Sequence, residues 1–261
     1  MDAAVSVEYL DLLRDVLQDY IPPRGSFDPS GHWFHHYSLY TLVNARKLTL
    51  RTRRIGGQLS IRRTPQAAGG AILEVKYEKT TQFAGMHTLV AKLVCAGEEL
   101  ATPVKWDSTY TMAAPAHPLK MSLELRETGI ARDRSIFIER GTMQKKLLLS
   151  SPFTSSWSLF EAVQRLTRPG GPALRFTLLD AGDAPKPNQV LAFYQSADLK
   201  NRWPGAPTLR VHGFLQIGDG ISPQVYWVDD RGELLFLLSG LDAYVLDAGA
   251  PAAPPSTGER S

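Results

Sequence analysis

The stretch from Thr208 to Asp247, TLRVHGFLQIGDGISPQVYWVDDRGELLFLLSGLDAYVLD, constrains the fold more than any other part of the chain. In it Leu209, Val211 and Gly213 alternate with Arg210, His212 and Phe214, the period-two pattern of a strand with two unlike faces. Gly218-Asp219-Gly220 breaks the run, and Pro223 stands at the head of the next one, where a sheet tolerates a residue without an N–H. Val225-Tyr226-Trp227-Val228 is aromatic and β-branched, as strands prefer. Asp229-Asp230-Arg231-Gly232 supplies turn chemistry: short acids that bond back to their own backbone, then a glycine free to take positive φ. Glu233 to Ser239 is an apolar run, Gly240 turns again, and Ala243 to Leu246 closes. Parallel neighbours need much longer crossovers, so the four runs pair as an antiparallel meander.

The same grammar runs upstream. Alternation marks strands over Arg46–Ile55 and Gln58–Arg63, with Gly56-Gly57 as the turn between them. It recurs over Ile72–Lys79, Met86–Cys95, Val104–Met112, Leu119–Arg126, Ser135–Glu139, Gln144–Leu148, Leu174–Leu179 and Val190–Ser196. After a loop from Pro22 to Gly31, the chain enters strand from about Tyr37. Two helices interrupt the series. Over Val5–Asp19, apolar residues recur at three- and four-residue spacing until Pro22-Pro23 stops them; the polar face is acidic, the wrong sign for anionic lipid. The second helix runs over Ser155–Leu166, with Trp157, Phe160, Val163 and Leu166 on one face; serines cap its start, and Ser158 with Glu161 either forms a capping box or sits one turn in.

About fourteen strands, two helices and no repeating βαβ pattern predict a mainly β fold. The expected form is one large, curved antiparallel sheet, a half-barrel or open barrel, with two short helices packed against its concave face. A sandwich divided near Pro152 is the structural alternative. The expected layout is an N-terminal helix over 1–21, an antiparallel β domain over 22–247 with its helix near 155–166, and a Pro/Ala/Gly-rich disordered tail over 248–261.

A formal net charge of +3 is too small to argue for nucleic acid. Cys95 is the single cysteine, which excludes an intrachain disulfide and a cysteine-built zinc site; its neighbours Leu93, Val94 and Ala96 mark it as a buried small apolar residue. No apolar run approaches the roughly 20 residues of a membrane span. Met1-Asp2-Ala3-Ala4 does not read as a signal peptide, which leaves a cytosolic chain or a mature envelope chain whose leader was replaced by a start methionine.

The pattern Tyr226, Asp229, Gly232 and Leu234, with Gln216, Gly218 and Gly220 upstream, resembles the bacterial half-barrel envelope proteins, the periplasmic lipoprotein carriers and the DUF3108 proteins among them. The resemblance covers roughly Phe153 to Asp247. It implies an incomplete barrel with an apolar cavity for acyl chains, usually without catalysis.

Four groups of residues are site candidates. His32, His35, His36, Tyr37 and Tyr40 lie in the densest run of histidines and aromatics; they could serve as acid and base in an elimination or hydrolysis. Among nearby acids only Asp28 could complete a metal-ligand spacing, and neither metal nor cofactor is expected. Lys47, Arg51 and Arg53 share a basic strand face, with Arg62 on the next strand, suited to a carboxylate or phosphate. Trp106, with Asp107 and Tyr110, and Tyr226 and Trp227, with Asp229 and Asp230, could line a ligand site; Tyr226 and Trp227 face opposite ways, so at most one does. Nucleotide-binding loops, the nucleophile elbow and the EF-hand are absent from the sequence.

Three readings follow. The first is a non-catalytic, envelope-type protein holding a lipid or other amphiphile in a half-barrel cavity. The second is an enzyme on an acidic polysaccharide, lyase or hydrolase, using histidine and tyrosine. The third is a structural envelope component with no small ligand.

Overall fold

A computed structural model describes residues 10, 13–17, 20–45, 49–80, 85–114, 121–132, 135–149, 151–166, 170–180, 184–199 and 208–248, with side chains described except at 14–15, 42–45, 49–55 and 121. The first half carries β1 (Trp33–Ala45), β2 (Thr49–Pro65), β3 (Ala71–Thr80), β4 (Met86–Cys95), β5 (Pro103–Ala114), β6 (Met121–Arg132), β7 (Ser135–Arg140) and β8 (Met143–Leu148). The second half carries β9 (Phe153–Ser155), β10 (Leu174–Leu179), β11 (Lys186–Leu199), β12 (Leu209–Ile217), β13 (Gln224–Asp229), β14 (Leu234–Ser239) and β15 (Asp242–Leu246). A helical turn, α1 (Arg14–Leu17), precedes them, and one ten-residue helix, α2 (Ser156–Arg165), lies between β9 and β10.

All fifteen strands belong to one open sheet, ordered β8-β7-β6-β5-β4-β3-β2-β1-β15-β14-β13-β12-β11-β10-β9. The chain is thus mainly β, with one large curved sheet, as the alternation predicted. Every pairing is antiparallel except β9 with β10, which run parallel around α2. That lone crossover follows from β9 being three residues long and flowing into the helix.

Phe160 of α2 touches Tyr37, Tyr226 and Tyr244, which defines the inner face of the sheet. Leu159, Phe160 and Val163 are buried there, against Leu59, Ile61, Leu73 and Leu89 among others. Polar ties also hold the helix. Glu161 pairs with Arg63 at 3.0 Å and with Arg165 at 2.8 Å, and Gln164 Oε1 accepts the Leu234 N–H. The helix starts on Ser155, whose Oγ accepts the Ser158 N–H. The serines cap the start and the Ser158–Glu161 pair sits one turn in, so Glu161 reaches across to β2.

Tyr20 takes the opposite side. Its ring lies 4.7 Å from Phe236, and Phe236 is next in strand to Leu237, which pairs with the inner-face residues Tyr226 and Tyr244. From there the chain passes over the rim of the sheet. Arg231 donates to the Pro23 and Gly25 carbonyls, Arg63 donates to Ser30 and Gly31, and Phe27 stacks on His35. Of the two described helices, α2 is the one whose contacts place it on the concave face, while Tyr20, just after α1, packs on the other. Most of Val5–Asp19 lies outside the described residues, and so does the tail from residue 249.

Two boundaries also differ. Strand β1 begins at Trp33 rather than near Tyr37. Gly56-Gly57 does not turn; β2 runs through it, because Ser38 pairs with Gln58 and Tyr40 with Arg54, so three residues of β2 stand opposite Leu39 alone. A Cβ on Gly57 would fall 3.2 Å from the Leu39 side chain, so the glycine accommodates this bulge.

Candidate functional site

The sequence candidates scatter. His32 is exposed on the loop before β1. His35 and Tyr37 point inward, and their Nδ1 and Oη atoms lie 3.2 Å apart, but they are 4% and 0% exposed. Trp33 and Phe27 stack on either flank of the His35 ring, and the Tyr37 hydroxyl donates to Leu234. His36 faces outward and shares a 2.9 Å hydrogen bond with Ser60; Tyr40 is half-buried. No open groove therefore collects these five side chains. Among the described residues no three His, Cys, Asp or Glu side chains gather to hold a metal.

Arg62 is on the outer face, over the Phe34 ring and 3.8 Å from Glu74. Lys47 and the side chains of Arg51 and Arg53 lie outside the described residues. A shallow basin of about 730 Å³ spreads over this face, lined by Phe34, Arg62, Glu74, Lys76, Lys92 and Asp107 among others. The cross-strand row Arg62, Glu74, Lys92, Asp107 alternates in sign, and Asp107 also binds Arg126 at 2.8 Å. Its charges are mutually compensated, as on a solvated sheet face.

Tyr226 is buried on the inner face, bonded to Gln216 and Gln224. Trp227 is buried on the other face, over Gly213. Trp106 lines a recess, and that recess marks the most distinctive feature of the fold. Strands β8 and β9 are consecutive in sequence yet form the two opposite edges of the sheet. Residues 149–152 join them, a span that reaches at most roughly 17 Å. The sheet must therefore curl until its edges face each other, leaving a seam that no hydrogen bonds close among the described residues. At its far side the Thr177 N–H donates to Pro152, and the Ser151 and Thr177 hydroxyls meet at 2.8 Å.

Two adjoining recesses occupy the seam. The inner one, about 40 Å³, lies between Leu93, Trp106, Ile138 and Leu147 on one wall and Trp157 and Leu179 on the other. The outer one, about 400 Å³, opens beside β8 and is lined by Ile138, Arg140, Met143, Gln144, Lys145 and Leu147. Ile138, Arg140 and Leu147 line both, so the two recesses adjoin, one toward the indoles and one toward the surface. The inner void alone is far smaller than a ligand pocket; the outer recess has the size of one.

The polar groups of the seam are few and fixed. Glu127, 7% exposed, accepts from Trp106 Nε1 at 2.8 Å and from Arg140 Nε at 2.5 Å. Asp180 accepts from Ser156 Oγ and Lys186 Nζ. Trp157 lines the inner void, and its buried Nε1–H meets no acceptor among the described residues. A ligand oxygen that reached it would satisfy that donor. At the mouth Arg140 is paired with Glu127 and Lys145 adds a positive charge, so the seam is apolar within and carries a cation at its entrance.

A different set has the composition of a nucleophilic triad: Ser196 Oγ lies 2.8 Å from His212 Nδ1, and His212 Nε2 lies 2.8 Å from Asp230. Its exposure is the reverse of what hydrolysis needs. The carboxylate is 66% exposed and the imidazole 8%, whereas a triad buries its acid. It ties β11, β12 and the β13–β14 turn together.

Sequence reasoning reached Trp106 through its aromatic, acid-flanked setting but missed Ile138, Arg140, Leu147, Trp157 and Leu179. These come from separate elements, and they meet through the closure of the seam, which no local pattern reports.

No protein-family model matches the chain, and no curated protein matches it. Among solved structures it is similar to a beta-barrel-like protein of the domain of unknown function DUF1849 from Brucella abortus. The TM-score is 0.54 at 10% identity, over 83% of this chain and 96% of that one. The likeness shows a barrel-like fold of a kind found in bacteria.

Proposed function

We propose that the chain is a non-catalytic, envelope-type binding protein that takes an amphiphile in the seam between β8 and β9. The observation that carries this reading is the pair of adjoining recesses between the Trp106 and Trp157 indoles and the surface beside Arg140 and Lys145. Apolar walls favour a hydrocarbon portion, and the mouth favours an anionic head. The resemblance of the 226–234 motif to half-barrel carriers supports the same class of ligand. The recess is lateral, at the seam, while α2 packs its Phe160 against the inner face of the sheet. An enzyme on an acidic polysaccharide would need its histidine and tyrosine at an open surface. His35 and Tyr37, the pair that meets, are sealed beneath Phe27 and Trp33.

A fatty acid with a dansyl group provides the test. The probe is expected to gain fluorescence on binding and to quench tryptophan emission. Leu147→Glu sets a charge on the apolar wall and is expected to weaken the probe by about tenfold. An unchanged affinity in that variant, or no binding by the native chain, would sink the proposal.

A further inference from the structure

We infer that the amphiphile of the seam is an extended peptide, added as a strand along β8, with an acidic pair at its centre and apolar residues on both sides. The inference rests on the seam reading above and names its ligand class. Strand β8 pairs with β7 and, among the described residues, with no strand on its other side. Its outer row of backbone N–H and C=O groups is therefore a template for another chain. The opposite edge is unsuited. Strand β9 has three residues, the Phe153 carbonyl accepts from Thr102 Oγ1, and Thr154 Oγ1 donates to Leu100.

The side chains of β8 say what such a strand would contain. A guest beside β8 directs alternate residues to the concave side, next to Met143, Lys145 and Leu147 and over the outer recess. Its other residues fall next to Gln144, Lys146 and Leu148. Both faces thus present a central lysine flanked by uncharged, largely apolar neighbours. Met143 and Leu148 are 65% and 78% exposed, apolar surface that a guest strand would cover. Opposite the lysines the complementary residues are acids; opposite the ends they are apolar.

The same two lysines disfavour the centred pairing of two copies of the chain. In a centred antiparallel pairing of β8 with itself, Lys145 of each copy would face Lys146 of the other, and like charges directly opposite one another are unfavourable. The edge is guarded against its own kind and open to an acidic strand.

The experiment uses the full chain and two labelled, end-capped peptides, Leu-Val-Glu-Glu-Val-Leu and Leu-Val-Lys-Lys-Val-Leu, read by fluorescence polarisation. The acidic peptide is expected to bind roughly tenfold or more tightly than the basic one. The double substitution Lys145→Glu/Lys146→Glu should reverse the preference. Methylating alternate backbone nitrogens of the acidic peptide leaves the protein untouched, and in one of the two registers should abolish binding. If the dansyl fatty acid binds but the peptide does not, or if neither methylated peptide loses affinity, the peptide inference falls while the seam reading stands. If the dansyl fatty acid does not bind, the seam reading falls and the peptide inference with it.

Discussion

Two tryptophans owe their positions to glycines across the ladder. Trp106 pairs with Gly129 and Trp227 with Gly213, and each indole lies over its partner's missing side chain. A Cβ on Gly129 would fall 2.0 Å from Trp106 Cζ2, and one on Gly213 would fall 2.9 Å from Trp227 Cζ3. Gly129→Ala is therefore expected to cost about 1–3 kcal/mol in denaturant unfolding, by overpacking, and to shift tryptophan emission as the Trp106 indole is pushed off Glu127. Unchanged stability and emission would show that the indole can move freely. Trp106 was legible as a ligand candidate because an aromatic beside an acid stands out in sequence. Gly129 was not, because its meaning comes from the residue it faces on another strand. Cys95 read correctly as a buried apolar residue: burial pushes its thiol up to about 12, against the lowering effect of a hydrogen bond to Ser158.

At the scale of elements, α2 decides what the interior can hold. Its apolar face was legible from the spacing of Trp157, Phe160 and Val163, and its beginning from a cluster of serines. Its place inside the sheet was not, because β9 is too short to show an alternation and its parallel pairing with β10 is set by tertiary closure. The buried pair of Arg63 and Glu161 fixes the helix to β2, with side chains 5% and 2% exposed. Glu161→Gln keeps the volume but strands a buried guanidinium, which still donates to the Ser30 and Gly31 carbonyls. A loss of about 3 kcal/mol is expected, measured by urea denaturation. The double variant Arg63→Met/Glu161→Leu should lose less than Glu161→Gln alone, and a larger loss would mean that the pair itself, rather than its incomplete removal, sets the cost.

For the whole molecule, the antiparallel grammar of the final meander was enough to give the fold class, because each short turn fixes its two neighbours. The seam lay beyond that reasoning, since it depends on how far fourteen successive strand-to-strand twists curl the sheet. The closed core has a consequence at high pH. Burial raises the hydroxyl pKa of Tyr20, Tyr37, Tyr77, Tyr226 and Tyr244, with nearby acids adding to it at Tyr20 and Tyr37. In the unfolded chain these groups ionise near roughly 10. The folded state holds its protons past that point, so stability is intact below it and falls as pH rises, because the unfolded chain is the state that sheds protons. Tyrosinate absorbance from these groups should therefore appear together with loss of the near-ultraviolet circular dichroism. Ionisation of all five without unfolding would contradict their burial. The strand order also has a consequence for the folding route. The first and last strands meet at the centre of the sheet, where Tyr37 pairs with Leu246, while the chain's middle lies at its two edges. The sheet is a single loop of neighbours cut at an internal joint. A circular permutant opened within residues 149–152, with its old ends joined, would find every hydrogen-bonded partner in the adjacent strand of sequence. Its assembly would be spared the loop-closure entropy that the natural order sets on joining β1 to β15.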